Sequence, residues 1–307
     1  MKPSIVIVGS SNTDMVIKAD HLPAPGETIL GGTFFMTQGG KGANQAVAAA
    51  RLNGQVTFVA KIGADVFGKQ SVQLYKDDGI DTSYITTDEN SPSGVALITV
   101  DNNGENCITV APGANGTLSV DDISNAQAVF ENASIILMQL EIPLETVEYV
   151  ANLAKAANTK LVLNPAPART LSDELLSKVS IITPNKKEAE MLTGIKISGI
   201  DSAKEAAKIL AGKGIETAIV TMGPEGALIF HNNAFEVVPA VKVKASDTTA
   251  AGDVFNGALV VALSEGKEMI QAVRFANAAA AISVTRLGAQ ASAPRRSEAE
   301  AGSEGVN

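Results

Sequence analysis

Short hydrophobic runs recur along the chain, and most are followed by a segment with helical periodicity. The runs are continuous and partly β-branched, which is typical of strands buried on both faces of a parallel sheet. They lie at residues 5–8, 56–60, 135–140, 160–163, 181–183 and 218–222. The helical segments are 42–52, 144–158, 186–193 and 202–213. This alternation predicts an α/β fold with a central, mostly parallel sheet flanked by helices.

Two segments, 15–37 and 93–111, interrupt the alternation. The first mixes apolar residues with two prolines and a Gly-Gly pair, and the second reads as a hairpin turning at Asn102-Asn103-Gly104. We expect them to form a small antiparallel sheet, called the lid sheet below, inserted into one α/β domain spanning residues 1–307. The Glu-, Ser- and Gly-rich segment 297–307 predicts a mobile tail.

Composition excludes several classes of protein. The 307 residues are 45% hydrophobic and 19% charged, which excludes a disordered chain. The net charge of −9 and the absence of tryptophan argue against a nucleic-acid partner. No window of 18 uncharged apolar residues is present, so we expect no membrane span. The N-terminus lacks the apolar stretch of a signal peptide.

Cysteine and histidine are too scarce for several kinds of site. Cys107 is the single cysteine, which excludes a disulfide framework and fits a reducing cytoplasm. His21 and His231 are the two histidines, so neither a His-rich metal site nor a triad is expected. Any acid–base chemistry must therefore come from carboxylates or lysine.

Small, polar or acidic residues follow nearly every predicted strand. One such residue is commonly a helix N-cap, but several at one edge favour a site, since ligands bind outside the carboxyl ends of parallel strands. These residues are Asn12, Asp14, Glu141, Asn164, Asn185, Glu188, Gly223 and Gly226.

Glycines open the first predicted helix, in the sequence Gln-Gly-Gly-Lys-Gly-Ala-Asn-Gln at 38–45. Such a turn lets a ligand approach backbone amides at a helix N-terminus, although it also serves as a packing device. Lys41 offers a positive charge, and Asn44 lies on the same helical face as Gly40. The segment matches neither a Walker A loop nor G-x-G-x-x-G.

A second glycine-containing loop, 247–252, runs into a helix that carries Asp253 in its first turn. Backbone N–H groups near 250–253 would form an anion hole for a transferred phosphoryl group. Asp253 would then orient an attacking hydroxyl and accept its proton. The alternative is that Asp253 is only a favourable first-turn carboxylate.

Eight segments together resemble the ribokinase-like carbohydrate kinase superfamily. They are 9–14, 39–44, 138–141, 164–169, 183–188, 247–259, 275–281 and 285–290, and the resemblance runs from about residue 4 to about residue 296. It implies a ribokinase-like fold and an ATP-dependent kinase that phosphorylates the 5-hydroxyl of D-ribose.

The resemblance also implies roles for individual residues. The sugar would contact Asn12, Asp14, Gly40, Lys41, Asn44, Glu141 and Asp253. Asp253 would be the catalytic base, and Ala250, Ala251 and Gly252 would supply the anion hole.

ATP would contact Asn185, Thr221, Gly223, Gly226, Gly252 and Asn277. Asn185 and Glu188 would hold Mg²⁺ through water. K⁺ would be bound by Asp247, Thr249, Ser283, Arg286, Gly288 and Ser292, several through backbone oxygens. The lid sheet would form a homodimer contact.

Other functions remain open on the sequence alone. Kinases of the same fold act on deoxyribose, fructose, keto-sugar acids or nucleosides. Few aromatic residues flank the polar positions, which disfavours a nucleoside, and no additional arginine is evident for an acidic sugar. A non-catalytic sugar sensor would not need the Gly252-Asp253 pair. A nicotinamide-dependent dehydrogenase is disfavoured because G-x-G-x-x-G is missing.

Overall fold

A computed structural model describes residues 4–304, which form thirteen strands and eleven α-helices. The strands are β1 (Ser4–Val8), β2 (Asn12–Lys18), β3 (Thr33–Gly39), β4 (Gln55–Gly63), β5 (Ile85–Asp88), β6 (Gly94–Val100), β7 (Asn106–Ala111), β8 (Ile135–Met138), β9 (Lys160–Leu163), β10 (Ile181–Ile182), β11 (Thr217–Thr221), β12 (Ala227–His231) and β13 (Ala234–Val238). The helices are α1 (Lys41–Arg51), α2 (Val66–Asp77), α3 (Val120–Asn125), α4 (Gln127–Glu131), α5 (Leu144–Ala156), α6 (Asp173–Leu176), α7 (Lys186–Thr193), α8 (Ile200–Gly212), α9 (Ala251–Ser264), α10 (Met269–Ser283) and α11 (Arg296–Glu304).

The large sheet has nine strands in the order β13-β12-β11-β10-β9-β8-β1-β4-β5. The seven strands from β11 to β5 are parallel, and β12 and β13 add antiparallel strands at one edge. The predicted mostly parallel sheet is therefore confirmed. Since β1, β8, β9, β10 and β11 run in one direction, the residues after them meet at a single edge of the sheet.

Apolar side chains fill both faces of this sheet. In β1, Ile5 and Ile7 pack in one core, whereas Val6 and Val8 pack in the other. The first core includes residues of α1, α9 and α10, and the second includes residues of α5 and α8. Strands covered on both sides have no polar face, which explains their continuous apolar runs. Within residues 4–304 no helix is long and apolar enough to cross a membrane.

The lid sheet is present as four strands in the order β3-β2-β6-β7. The outer pairs β2–β3 and β6–β7 are antiparallel, and the central pair β2–β6 is parallel. The β6–β7 hairpin turns at the predicted asparagine–glycine sequence, with Gly104 N–H donating to Asp101 O. Cys107 lies exposed in β7.

The prediction of a mobile tail from residue 297 is wrong for residues 297–304, because they belong to α11. The helix packs through small residues: Ala299 is fully buried, and Gly302 lies close to Ala278 and Ile282 of α10. Arg296 anchors its start by pairing with Glu265. The prediction relied on large apolar residues and so overlooked a helix that packs through alanine and glycine. The rest of the predicted tail, 305–307, lies outside the described residues.

Candidate active site

The start of α1 requires glycine at two positions. Gly40 has φ 86°, and a Cβ there would lie 2.8 Å from the Asn12 nitrogen. A Cβ on Gly42 would lie 2.6 Å from the Gly9 carbonyl carbon. Side chains are therefore excluded where α1 meets the end of β1, which brings Lys41 close to the carboxyl edge of the large sheet.

Glu141, from the segment after β8, caps the N-terminus of α1. Gly40 has no side chain to accept from the helix, and Glu141 Oε2 instead accepts from the Lys41 N–H at 3.0 Å. The Ser10 hydroxyl donates to the same oxygen at 2.5 Å. Glu141 Oε1 lies 3.8 Å from Lys41 Nζ. A partly buried carboxylate thus fixes the helix N-terminus and keeps one oxygen beside the ammonium group.

Asp253 occupies the first turn of α9, directly against α1. Its Oδ2 accepts from Asn44 Nδ2 and its Oδ1 accepts from Gln45 Nε2, both at 2.9 Å. The two helices approach closely because of Gly257, where a Cβ would lie 2.8 Å from Ala48 Cβ. The carboxylate is 6% exposed, so it is buried yet doubly hydrogen-bonded.

The N-terminus of α9 has free donors. Ala250, which precedes the helix, has φ 58°, a left-handed conformation that is strained for a residue other than glycine. Among residues 4–304, no hydrogen bond uses the N–H groups of Gly252 and Asp253. These donors and the positive end of the helix dipole can together bind an anion.

Charged neighbours in one cluster, which also contains Glu141, act on the pKa values of four groups: Asp14, Glu188, Asp253 and Lys41. Burial raises the pKa of Asp253 and of Glu188, and the Lys41 ammonium acts against both shifts. Burial lowers the pKa of Lys41, but the surrounding carboxylates outweigh it and leave that pKa raised. Since acidic groups are in excess, the cluster favours ligands that bring hydroxyl groups or cations.

Asp14 in β2 belongs to the same cluster. Burial, together with the nearby Glu141 carboxylate, raises the pKa of Asp14 from 3.8 to about 6. Gly39 on β3 makes room for its carboxyl group, because a Cβ there would lie 2.2 Å from Asp14 Oδ2. Asn12 and Asp14 lie on the same face of the lid sheet, together with buried Val16. The lid sheet therefore turns its polar positions towards the buried side.

Two asparagines offer opposite groups for hydrogen bonding. Asn44 donates to Asp253, and its own Oδ1 is buried without a partner. Asn12 accepts through Oδ1 from Asn115 at 2.8 Å. No hydrogen bond among the described residues uses Asn12 Nδ2. Asn44 therefore presents an acceptor and Asn12 presents a donor, a pairing suited to hydroxyl groups.

Asn185 and Glu188 form a capping box at the start of α7. The Asn185 side chain accepts from the Glu188 N–H at 2.9 Å, and Glu188 Oε2 accepts from the Asn185 N–H at 2.8 Å. Asn185 Nδ2 also donates to Glu188 Oε1 at 2.7 Å. The capping role that strand-end residues commonly have is thus present here, together with a buried carboxylate that faces Lys41 and Asp253.

The predicted nucleotide residues lie beyond this box. Asn185 forms an isolated bridge with Thr221, at the end of β11. Gly223 and Gly226 both have positive φ, and a Cβ on Gly226 would lie 2.1 Å from the Val238 oxygen. Asn277 on α10 donates to that same oxygen at 3.2 Å. The turn after β11 and the end of β13 are therefore held together.

Asp247 joins two loops beside the start of α9. Its Oδ1 accepts from the Thr249 N–H at 2.9 Å, and its Oδ2 accepts from the Gly288 N–H at 2.8 Å. Partial burial raises the pKa of Asp247, but these hydrogen bonds outweigh burial and leave the pKa lowered. The loop before the anion-binding helix end is thus tied to the loop after α10 by an ionised carboxylate.

The other residues predicted to bind K⁺ have different side-chain partners. The hydroxyls of Ser283 and Ser292 are bound to the Ala280 and Ala289 oxygens. Arg286 pairs with Glu298 on α11. A hydroxyl that donates keeps its lone pairs, so the two serine oxygens remain candidate ligands together with Asp247 and backbone oxygens. Among the described residues, no group of three His, Cys, Asp or Glu side chains could hold a metal ion.

Three residues without a predicted role complete the site. Gln45 binds the Asp253 carboxylate, Asn164 after β9 accepts from Gln45 at 3.1 Å, and Asn115 orients Asn12. Gln45 directly follows the segment 39–44 and Asn164 begins the segment 164–169, and their polarity within apolar surroundings was the available signal. Asn115 lies in a short 3₁₀ turn that no sequence pattern linked to β2.

Known proteins of the same architecture match nearly the whole chain. The family model for pfkB family carbohydrate kinases matches residues 2–296. A ribokinase of Haemophilus influenzae is 46% identical over 298 residues, 97% of each chain. A deoxyribokinase of Salmonella typhi is 38% identical over 291 residues, 94% of this chain and 95% of the relative. The solved structure of Arabidopsis thaliana ribokinase complexed with ribose and ATP has a TM-score of 0.92 and 32% identity, covering 99% of both chains. The chain therefore belongs to the pfkB family of carbohydrate kinases and is a sugar kinase.

Proposed function

We propose that this enzyme transfers the γ-phosphoryl group of ATP to the 5-hydroxyl of D-ribose. The observation that carries the proposal is the placement of Asp253. Its buried carboxylate lies between the free N–H groups that begin α9 and the polar cluster of Asp14, Lys41 and Glu141. A hydroxyl bound in that cluster would be next to both a base and an anion-binding helix end.

The polar cluster suits a small polyol. Asn12 offers a donor, while Asn44 Oδ1, Asp14 and Glu141 offer acceptors, and a sugar hydroxyl can both donate and accept. The backbone of Gly40 and the Lys41 ammonium would complete the sugar contacts. The protein with ribose and ATP in its structure is a relative with the same fold.

Phosphoryl transfer would follow from this placement. Asp253 accepts the proton of the sugar's primary hydroxyl as that oxygen bonds to the γ-phosphorus. The bond from the γ-phosphorus to the bridging oxygen breaks, and ADP leaves. The backbone at Ala250, Ala251 and Gly252 stabilises the negative charge on the transferred group. Closure of the lid sheet over the sugar would exclude water and prevent ATP hydrolysis.

The nucleotide would lie along the edge formed by the ends of β10, β11 and β13. Asn185 and Thr221 lie side by side there, and the turn at Gly223 and Gly226 leaves room for a ligand. Asn277 would line the same region from α10 and orient the nucleotide with them.

Divalent and monovalent cations fit this chain's acidic groups. Mg²⁺ brought with ATP would be held through water by Glu188, whose buried carboxylate faces one ammonium group and further acids. When bound, Mg²⁺ neutralises phosphate charge. K⁺ would be held by residues that act in several cases through backbone oxygens: Asp247, Thr249, Ser283, Arg286, Gly288 and Ser292. Those residues order the loop whose N–H groups face the phosphate.

The outer face of the lid sheet favours a homodimer. Ile17 pairs with Phe34, and Met15 pairs with Met36 and Leu97, so their side chains share one face. Ile17, Phe34, Met36 and Leu97 are all exposed. Exposed apolar residues of this size on one face are typical of a protein interface. We therefore propose that two copies pair through this sheet, and that the enzyme works in the cytoplasm.

Deoxyribose is the second candidate substrate, because one relative is a deoxyribokinase. The two sugars differ by one hydroxyl. A site that pairs this hydroxyl with buried polar groups rejects the sugar that lacks it by several orders of magnitude. Asn12 and Asn44 are the described residues whose unpaired groups would distinguish the two.

The deciding experiment is ADP release by purified protein with Mg-ATP and a panel of sugars. The panel contains ribose, deoxyribose, fructose and adenosine, each with and without KCl. Selective turnover of ribose that rises with KCl supports the whole proposal. Preference for another sugar keeps the mechanism and replaces the substrate. Sugar binding without turnover of any compound would contradict the kinase mechanism and indicate a sensor.

A further inference from the structure

We infer that Gln45 is a positioning residue that keeps the Asp253 carboxylate ionised and aimed at the sugar hydroxyl. The inference rests on the proposed role of Asp253 as base. It gives a function to Gln45, which has none in the proposed mechanism. Gln45 is fully buried in α1 and cannot itself reach a ligand. Its effect must therefore pass through Asp253.

A backbone carbonyl sets the direction of the Gln45 amide. The oxygen of Thr183 can only accept, so the amide group of Asn164 must turn its Nδ2 towards it, and the distance is 3.3 Å. Asn164 Oδ1 then faces Gln45 and accepts from its Nε2 at 3.1 Å. The second hydrogen of this Nε2 is thereby directed at Asp253 Oδ1.

Gln139, after β8, sets the same direction from the other side. Its Nε2 donates to Gln45 Oε1, which leaves the Gln45 oxygen occupied. Gly9 makes room for Gln139, because a Cβ there would lie 2.1 Å from Gln139 Oε1. A reversed Gln45 amide would place two oxygens together at both Asn164 and Asp253, so only one orientation satisfies the network.

The fixed donor distinguishes the two protonation states of Asp253. An ionised carboxylate accepts from both Gln45 and Asn44, whereas a carboxylic acid would have to turn a hydrogen away from them or lose one bond. Hydrogen bonds to the charged form favour that form. Asn44 also has an oxygen free for the sugar, so its loss would affect binding and catalysis together. Gln45 has no such second role.

The charged groups around Asp253 do not provide this stabilisation by themselves. Among residues 4–304, Lys41 on α1 is the cation that acts on its pKa. Glu141 after β8, Asp14 on β2 and Glu188 on α7 are acidic and favour protonation. Three acids and one ammonium group surround Asp253 in a buried site. The amide donors of Asn44 and Gln45 therefore keep this base ionised at neutral pH.

The test is the pH profile of kcat for Gln45→Met, which keeps the side-chain length and removes the donor. Losing a hydrogen bond to a charged group should lower kcat at pH 7 by ~10–100-fold. The acidic limb of the profile should move up by about one pH unit. Sugar affinity measured by calorimetry should change less than roughly threefold, because Gln45 does not contact the sugar. A purely structural role would lower the amount of folded enzyme without moving the limb.

Thr217→Val is the matched control for loss of a buried hydrogen bond. Thr217 begins β11, away from the carboxyl edge, and its hydroxyl pairs with His231 Nδ1 at 2.7 Å. This variant should keep the wild-type pH profile. Gln45→Leu serves as a second variant if the methionine variant does not fold. It also removes the donor to Asp253 without adding a charge, so it should also move the acidic limb upward.

The outcomes separate this inference from the proposed function. An unchanged acidic limb in a folded Gln45 variant, with Asp253→Asn inactive, overturns the inference and leaves Asp253 as the base. A normal rate for Asp253→Asn overturns the base assignment and the inference with it. A raised limb in either Gln45 variant, with sugar affinity retained, supports Gln45 as the positioning residue.

Discussion

The side-chain amide of Asn115 donates to Oδ1 of Asn12 across 2.8 Å and thereby decides which end of the Asn12 amide remains available. Asn115 cannot turn over, because its Oδ1 accepts from the Ser11 N–H at 2.8 Å and its Nδ2 donates to the Ser11 oxygen at 3.1 Å. A residue in a 3₁₀ turn thus fixes a donor on β2 at the proposed sugar site.

Asn115→Asp should therefore weaken sugar binding. The new carboxylate accepts where the amide donated, so Asn12 must turn its own Nδ2 inwards and present its oxygen to the sugar. We expect the KM for the sugar to rise ~10–100-fold, with a smaller change in kcat, since an unpaired buried group is costly. Steady-state kinetics with calorimetric Kd values measures this. Asn132→Asp, at an exposed position, is the control, and an unchanged KM in Asn115→Asp would disprove the orienting role.

Asp14 should make the stability of the sugar-free enzyme depend on pH. Its pKa is raised from 3.8 to about 6, so the protonated form stabilises the fold. This contribution is complete below about pH 4 and is lost as the pH rises through 6. Asp14→Asn should raise the free energy of unfolding at pH 7.5 by on the order of 2 kcal/mol and have no effect near pH 4.

Urea unfolding of wild type and Asp14→Asn at several pH values measures the difference. Asp20→Asn, at an exposed position of the same region, should show no such trend. Sugar binding by Asp14→Asn should be weakened, because the carboxylate is a proposed sugar contact. A stability difference that is the same at pH 4 and pH 7.5 would contradict the account of Asp14.

Asp247→Asn should raise the KCl concentration needed for half-maximal activity by ~10-fold or more. The substitution removes the charge proposed to hold K⁺ and one of two acceptors that tie Thr249 to Gly288. Sugar affinity without KCl should not change, since Asp247 does not contact the sugar cluster. Titration of initial rates with KCl at constant ionic strength gives the result. Equal half-maximal concentrations for both proteins would exclude Asp247 from the cation site.

Arg296 should stabilise the packing of α11 against the rest of the protein without affecting catalysis. Its guanidinium pairs with Glu265 and Glu300 and lies 5.0 Å from the centre of the Phe275 ring. Arg296→Ala should lower the free energy of unfolding by about 1–3 kcal/mol. Lys204→Ala, which removes an exposed pair with Asp201, should change it by less than about 0.5 kcal/mol. Equal losses in the two variants would show that the Arg296 contacts add no more to stability than an exposed ion pair does.

Much of this fold is predictable because local patterns reflect it directly. Continuous apolar runs identify strands buried on both faces, as in β1, where alternate residues belong to different cores. The glycines at the start of α1 are predictable for a similar reason, since the close approach at Gly40 and Gly42 allows no side chain. Each of these constraints acts within a few residues of the chain.

Features that depend on distant partners could not be predicted. The contact from Gln45 to Asn164 links residues 119 positions apart, and that from Ser11 to Asn115 links residues 104 apart. The parallel pairing of β2 with β6 is likewise set by the whole lid sheet. α11 escaped prediction because Ala299 is buried through close helix packing, which its small side chain does not signal.

The central claim is that Asp253 is the base of a sugar kinase, and Asp253→Asn tests it most directly. Asparagine keeps the shape of the side chain but cannot take the proton from a hydroxyl. The decisive measurement is the rate of ADP formation in a single turnover with ribose, Mg-ATP and KCl, alongside calorimetric ribose binding. The account predicts a rate ~10²–10⁴-fold below wild type with ribose affinity retained. Turnover near the wild-type rate would contradict it.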